Sequence, residues 1–170
     1  MVKLAKGVIF MKELCSKIVR ALGERGLTLS TAESCTGGLV AKRITDVSGC
    51  SDVFMGSCVT YANEAKMRYL GVSAESIAEC GVVSERVASE MSRGVAETNA
   101  AQVGVGITGI AGPTGGSEKK PVGTVCFGFF INGEVHTSTV GFGDIGRTAV
   151  REASVRYVYE TLYALLIQQA

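Results

Sequence analysis

The segment from Gln102 to Thr108 (QVGVGIT) constrains the fold more than any other part of the chain. Its residues are nearly all apolar, and polar and apolar positions do not alternate along it. This pattern is typical of a strand that is covered on both faces, as strands of parallel sheets are. A sheet of this kind needs helices on both sides, so the segment predicts three layers.

Helical patterns recur along the rest of the chain. Leu14, Ile18 and Leu22 follow one another every four residues, which predicts a helix over 12–25. Ser84 is a typical N-cap, and the apolar residues after it have helical spacing. By the same criteria, helices are predicted over 40–48, 62–70, 73–79 and 146–168.

Short apolar segments between these helices read as strands, and they are predicted over 27–31, 53–61 and 102–108. Two more strands, at 123–131 and 134–140, flank the pair Asn132-Gly133, which favours the type I′ turn of a tight hairpin. Strands that alternate with helices, with one hairpin inserted, predict an α/β fold. We expect a three-layer α/β/α sandwich around a mixed, mostly parallel sheet.

The length of 170 residues favours a single domain with a substantial core. No repeat or linker divides the chain. The start of the sequence is too short in its apolar part, and lacks a convincing cleavage site, to read as a signal peptide. We therefore expect a small N-terminal extension at 1–11, one domain at 12–170, and a cytoplasmic protein.

Composition excludes several classes of function. Seventeen basic and sixteen acidic residues give a net charge of +1 with no long basic run, so nucleic-acid binding is not indicated. No apolar stretch is long enough to span a membrane. The six cysteines are scattered and His136 is the only histidine, so we expect no zinc site. Several cysteines lie in apolar runs, so we expect reduced thiols. We also expect no cofactor.

The stretch Ser30–Leu39 (STAESCTGGL) is the first candidate site. A strand that turns into a helix here would leave free backbone N–H groups, which favour a bound anion. Gly37 and Gly38 would allow a ligand to approach the backbone closely, at a cost to helix stability. A simple N-cap at Ser34 or Thr36 is the structural alternative, and this stretch alone favours anion binding over catalysis.

A second candidate, Thr60–Lys66 (TYANEAK), places Tyr61 at a strand end and Lys66 about one helical turn further on. Both side chains would reach the same cleft as Ser34 if their strands were neighbours. If Ser34 is a nucleophile, it needs a base other than histidine, because His136 is remote in the sequence. Lys66 and Tyr61 are the candidates, and a lysine base requires a lowered pKa.

The third candidate is the loop from Gly109 to Pro121, whose backbone amides could cradle a phosphate. Its length favours a functional role over a plain surface connection. The segment before it contains a G-x-G-x-x-G match at Gly104, Gly106 and Gly109. The dinucleotide-binding motif requires a strand, a tight turn and then a helix. Here the first two glycines lie inside the strand and no helix can follow, so this interpretation fails.

Taken together, four motifs resemble the C-terminal domain of the competence/damage-inducible protein CinA. They are ESCTGG at 33–38, TYANEAK at 60–66, TGIAGPTGG at 108–116 and KPVGTV at 120–125. The resemblance covers residues 12–168 in the order and spacing of the family. It implies an α/β/α sandwich and, for stand-alone members, a metal-free deamidase of nicotinamide mononucleotide that releases nicotinic acid mononucleotide and ammonia.

The resemblance also implies roles for individual residues. It makes Ser34 the nucleophile, with Lys66 and Tyr61 as its activating pair. The residues it implies for substrate binding are Thr108 and Gly109 around the oxyanion and ring, Thr36, Gly37 and Gly38 at the 5′-phosphate, and Arg147 as a charge partner of that phosphate. The partners expected are a small nucleotide substrate and a second copy of the chain in a homodimer, with no nucleic acid and no membrane.

Three alternatives stay open from the sequence. The domain could be a catalytically silent nucleotide-binding or regulatory module. It could be a DNA-competence factor, which the balanced charge disfavours. It could also be a hydrolase that uses Cys35 in place of Ser34.

Overall fold

A computed structural model describes residues 2–168 of the protein, and these contain five strands and six α-helices. The strands are β1 (Leu29–Glu33), β2 (Phe54–Val59), β3 (Val103–Gly109), β4 (Thr124–Ile131) and β5 (Glu134–Gly141). The helices are α1 (Val2–Glu24), α2 (Leu39–Thr45), α3 (Asn63–Leu70), α4 (Ala74–Cys80), α5 (Glu85–Thr98) and α6 (Arg147–Gln168). Met1, in the expected extension, and residues 169–170 lie outside the described residues.

The strands form one mixed sheet in the order β2-β1-β3-β4-β5. The strand β1 pairs in parallel with both β2 and β3, whereas β4 is antiparallel to β3 and to β5. The predicted α/β class is confirmed, and the hairpin extends the sheet beyond β3. Because parallel strands end at the same edge, the segments that follow β1, β2 and β3 meet there.

Helices cover both faces of the sheet. On one face, α1, α2 and α6 pack through residues such as Ile18, Ile44 and Leu162 against the large side chains of β3 and β4. On the other face, α5 packs with α3 against β1. Six of the seven residues of β3 are buried, as the apolar pattern of this segment predicted.

Glycines let α5 approach the sheet closely. A Cβ atom at Gly104 would lie 2.0 Å from the carbonyl oxygen of Ser92, and one at Gly106 would lie 2.4 Å from that of Ala88. Gly128 on β4 has the same relation to Ala88, at 2.3 Å. The first two glycines of the G-x-G-x-x-G match therefore serve helix packing, which agrees with rejecting a dinucleotide-binding motif.

Element ends agree with the sequence wherever a cap or turn residue marks them. The side chains of Ser73 and Ser84 accept hydrogen bonds from backbone N–H groups at the starts of α4 and α5. Asn132 and Gly133 both have positive φ, at 49° and 98°, as a type I′ turn requires. Gly71 ends α3 in the left-handed conformation.

Other ends differ from the prediction. The first helix begins at Val2 rather than at residue 12, so the helix runs through most of the expected extension. Strand β1 begins two residues later than predicted, because the N–H of Leu27 donates to the carbonyl of Leu22 and closes the helix end around Gly26. Helix α2 ends at Thr45, three residues before its predicted end at 48. Within residues 2–168, no helix has both the length and the apolar character that a membrane span needs.

Candidate active site

A cavity of about 450 Å³ lies at the edge where the parallel strands end. Its lining residues come from the turn after β1, the start of α3, the α4–α5 connection, the loop after β3 and the start of α6. The lining residues are Ser34, Cys35, Tyr61, Asn63, Lys66, Gly81, Val82, Val83, Thr108, Gly109, Ile110, Ala111, Gly112, Thr114, Gly115, Ser117, Lys120 and Arg147. The three sequence candidates therefore meet in one place.

Ser34 is the first residue after β1, and the sheet holds its backbone. Its N–H donates to the carbonyl of Ile107 in β3 at 3.1 Å, and its carbonyl accepts from the N–H of Gly37 at 3.1 Å. The residue is 9% exposed. Its side chain is thus presented to the cavity from a rigid strand end, which suits a group that must attack a substrate in a defined direction.

Lys66 lies in the first turns of α3 and is buried, with 1% of its surface exposed. Its Nζ lies 3.1 Å from Ser34 Oγ, 2.7 Å from the carbonyl oxygen of Thr60 and 3.3 Å from that of Tyr61. Burial lowers the pKa of this lysine, since no carboxylate is bonded to it to offset the loss of water. The pair of Ser34 and Lys66 expected from the sequence is therefore in hydrogen-bond contact.

A neutral Lys66 amine would match these partners. It carries two N–H groups and one lone pair, and the two carbonyl oxygens of Thr60 and Tyr61 accept the N–H groups. The lone pair is then left for the Ser34 hydroxyl proton. This arrangement can remove a proton from Ser34 without any rearrangement of the side chain.

Tyr61 has a different position from the one its pairing with Lys66 suggested. Its hydroxyl accepts a hydrogen bond from Arg147 Nη2 at 2.7 Å, and the residue is 59% exposed. Only its backbone carbonyl contacts the Lys66 amine. Arg147 also donates from Nη1 to the carbonyl of Gly112 at 2.9 Å, so it joins two walls at the cavity mouth. Of the two candidate bases, the geometry favours Lys66.

The structure does not bring Thr36, Gly37 and Gly38 to the cavity lining. The anion expected at this helix start is the chain's own Glu33 carboxylate. That carboxylate accepts hydrogen bonds from the N–H groups of Gly38, Val40 and Ala41 at 2.9, 3.1 and 2.9 Å. Because Glu33 already accepts from the N–H of Gly38, this group is not free to bind a substrate phosphate.

Thr108 and Gly109 do line the cavity. The Thr108 hydroxyl, however, donates to the carbonyl of Val82 at 2.9 Å, so it holds a wall of the cavity rather than pointing a free donor at a substrate. Cys35 also lines the cavity, but burial raises the pKa of its thiol to about 11. A thiol with this pKa is a poor nucleophile at neutral pH, which disfavours Cys35 as the reacting group. His136 is exposed on β5, away from the lining.

Three basic side chains line the cavity, namely Lys66, Lys120 and Arg147, and no aspartate or glutamate does. With Lys66 neutral, Lys120 and Arg147 still give the cavity a positive charge, which favours an anionic ligand. Among residues 2–168, no group of three or more His, Cys, Asp or Glu side chains is arranged to hold a metal ion.

The sequence interpretation included Lys120 only as part of the loop after β3, and it assigned no role to Arg151. Lys120 donates to the carbonyls of Cys80 and Val83 at 2.7 and 2.6 Å. Arg151 of α6 donates to the carbonyls of Cys35 and Thr36 at 3.1 and 2.7 Å and so fixes the turn after Ser34. No local pattern marks either role, because each depends on carbonyls that are far away in the sequence.

The chain is similar to known proteins over nearly its whole length. Residues 11–166 match the family described as the CinA C-terminal domain. The nicotinamide-nucleotide amidohydrolase PncC of Escherichia coli K12 is 48% identical over 160 residues, which cover 93% of this chain and 96% of that protein. A CinA-like protein of Kosmotoga olearia is 43% identical over 150 residues, and there the match covers only 36% of the relative's length.

A solved structure has the same architecture. The competence/damage inducible protein CihA of Agrobacterium tumefaciens superposes with a TM-score of 0.88 at 44% identity, covering 91% of this chain and 94% of that one. The family match spans nearly all of the described residues and includes each segment that lines the cavity. The chain therefore belongs to the CinA C-terminal domain family.

Proposed function

We propose that this protein is an amidohydrolase that converts nicotinamide mononucleotide to nicotinic acid mononucleotide and ammonia, with Ser34 as the nucleophile and without a metal ion. One observation carries the proposal: the Ser34 hydroxyl lies 3.1 Å from a buried lysine amine in a cavity lined by cations. The similarity to PncC of E. coli, which covers 96% of that enzyme, supports the choice of substrate.

The first chemical step uses the pair of Ser34 and Lys66. The neutral Lys66 amine takes the hydroxyl proton as Ser34 Oγ attacks the carboxamide carbon. This attack forms a tetrahedral oxyanion. We assign its stabilisation to backbone N–H groups of the turn that begins at Cys35, since these donors follow the nucleophile directly in the sequence. Such preorganised donors stabilise the negative charge as it develops.

The second step expels ammonia. The Lys66 ammonium returns the proton to the amide nitrogen, the C–N bond breaks, and a nicotinoyl ester remains on Ser34 Oγ. Water then attacks this ester while Lys66 again acts as the base. The Ser34–carbonyl bond breaks, and the product leaves as a carboxylate. The atoms balance with water as the only co-substrate.

Substrate charge is matched by the rest of the cavity. Arg147 stands at the mouth, where its guanidinium is already oriented by Tyr61 and Gly112. A planar guanidinium forms two parallel hydrogen bonds to a phosphate, so Arg147 is the group that we assign to the substrate's 5′-phosphate. Tyr61 then acts by orienting Arg147, and through its carbonyl it also orients Lys66.

The direct test is ammonia release from nicotinamide mononucleotide by the purified protein, with a chelator present. We expect turnover by the wild type, loss of turnover in Ser34→Ala, and retained turnover in Cys35→Ser, a matched control at the adjacent residue. Ser34→Ala should fall by about 10⁴-fold or more in kcat, as when other serine nucleophiles are removed.

Each other outcome has a defined meaning. Turnover that persists in Ser34→Ala would remove Ser34 from the mechanism, and loss in Cys35→Ser alone would move the chemistry to the thiol. Loss of activity with the chelator would contradict the metal-free reaction. Tight binding of nicotinamide mononucleotide without turnover by the folded wild type would favour the silent nucleotide-binding module.

A further inference from the structure

The segment from Gly81 to Val83 forms a wall of the cavity although it has no regular secondary structure. Each backbone carbonyl from Cys80 to Val83 accepts a hydrogen bond from a side chain. Lys120 Nζ takes those of Cys80 and Val83, the Thr108 hydroxyl takes that of Val82, and the Ser84 hydroxyl takes that of Gly81 at 2.9 Å. Two residues that line the cavity, Lys120 and Thr108, therefore fix this wall by hydrogen bonds. Lys120 bonds to both ends of the wall, at Cys80 and at Val83.

The loop after β3 presents the Lys120 ammonium in a fixed place. The N–H of Ser117 donates to the Lys120 carbonyl at 2.9 Å, and the Ser117 hydroxyl accepts from the Lys120 N–H at 3.1 Å. Gly81, with φ of +75°, leaves room for the ammonium, because a Cβ there would lie 3.3 Å from Lys120 Nζ. One lysine therefore ties the loop after β3 to the α4–α5 connection across the cavity.

We infer that Lys120 is a positioning residue that sets the affinity of the cavity for its substrate by holding the wall at Gly81–Val83. The inference rests on the proposed amidohydrolase function for its kinetic consequence. The bonds of Lys120 are to the wall and not to Ser34 or Lys66. Its effect should therefore appear in the binding of the part of the substrate that lies away from the reacting amide.

The experiment compares Lys120→Met with Lys119→Met. Lys119 is the adjacent lysine, is exposed and does not line the cavity, so its variant makes the same change of charge without touching the wall. For Lys120→Met we expect the KM for nicotinamide mononucleotide to rise about tenfold while kcat stays within about twofold of the wild type. Lys119→Met should keep both constants.

A second measurement does not depend on activity. Hydrogen–deuterium exchange of the peptide segment 78–87 should become faster in Lys120→Met and stay unchanged in Lys119→Met, because the held wall opens more often once its cation is gone. Thr108→Val removes the neighbouring hold on Val82 and should also speed exchange. It serves as the second variant if Lys120→Met does not fold.

These readouts separate the two hypotheses. If the wild type releases no ammonia, the proposed function fails, and the exchange experiment still decides whether Lys120 holds the wall. A fall in kcat with unchanged KM would place Lys120 in the chemistry and overturn a positioning role. The positioning role would also be overturned if Lys120→Met and Lys119→Met had the same KM, or if segment 78–87 exchanged at the same rate in both variants.

Discussion

At the scale of single residues, the site depends on a lysine whose amine is buried away from solvent. Lys66 is buried beside Ser34 with two backbone carbonyls as its other partners. Carbonyl oxygens stabilise an ammonium less than a carboxylate does, so burial decides the direction of the pKa shift. The sequence showed that a base other than His136 was needed, but it left Lys66 and Tyr61 as alternatives.

Lys66 leads to a pH prediction. Because the base is the neutral amine, kcat/KM should rise with pH and level off above the pKa of Lys66. Since burial lowers that pKa, the midpoint should lie below the ordinary lysine value of 10.5. Lys66→Arg, which stays charged, should reduce kcat by about 10²–10⁴-fold. The measurement is a pH–rate profile.

Lys42 provides the control for this prediction. It is an exposed lysine of α2 that pairs with Asp46, so Lys42→Arg should leave the pH–rate profile unchanged. A wild-type rate that does not depend on pH below 10.5 would contradict Lys66 as the base.

At the scale of elements, the spacing of α5 from its neighbours is set by small residues rather than by the apolar pattern. Gly104, Gly106 and Gly128 admit α5 onto the sheet, and Gly94 of α5 admits the end of α3. A Cβ at Gly94 would lie 1.9 Å from the carbonyl oxygen of Leu70. The helical pattern predicted α5, but it contained no sign of this contact, because the partner atom belongs to another element's backbone.

Two glycine-to-alanine changes test this packing. Gly94→Ala should lower the free energy of unfolding by about 3 kcal/mol, because backbone cannot move aside as a flexible side chain can. Gly23→Ala in α1 should raise it by about 0.5 kcal/mol, since its nearest neighbour would be Val53 Cγ1 at an ordinary 3.8 Å. Chemical denaturation measures both, and a stabilised Gly94→Ala would show that α5 does not pack this tightly.

At the scale of the whole molecule, the cavity is assembled by elements from both layers and from the sheet. Its positive charge also depends on the whole molecule, because Lys120 and Arg147 come from the loop after β3 and from α6. The chain as a whole has a net charge of only +1. The balanced composition therefore hides a local excess of positive charge that only the fold brings together.

The phosphate of the substrate should depend on this local charge. Nicotinamide riboside, which lacks the phosphate, should have a KM at least about tenfold higher than nicotinamide mononucleotide, as expected for a lost hydrogen bond to a charged group. Arg147→Gln should raise the KM of the nucleotide and leave that of the riboside nearly unchanged. Arg156→Gln on the exposed face of α6 is the control, since Arg156 pairs with Glu160. Equal KM values for the two substrates with the wild type would contradict this role.

The homodimer stays a prediction. Light scattering would test it, with an expected mass of twice the 17.7 kDa of one chain.

The sequence by itself determined the α/β class, most of the helices and strands, the hairpin turn, and the family motifs that contain Ser34 and Lys66. These follow from local periodicity, turn chemistry and short motifs, which are properties of neighbouring residues. Tertiary structure decided which groups meet. Glu33 accepts from the N–H of Gly38, which was expected to bind a phosphate. The Tyr61 hydroxyl bonds to Arg147, and Lys120 donates to carbonyls at the α4–α5 connection. The physical reason is that hydrogen-bond partners and desolvation depend on which groups lie close in space. The pattern of neighbouring residues in the sequence does not contain this information.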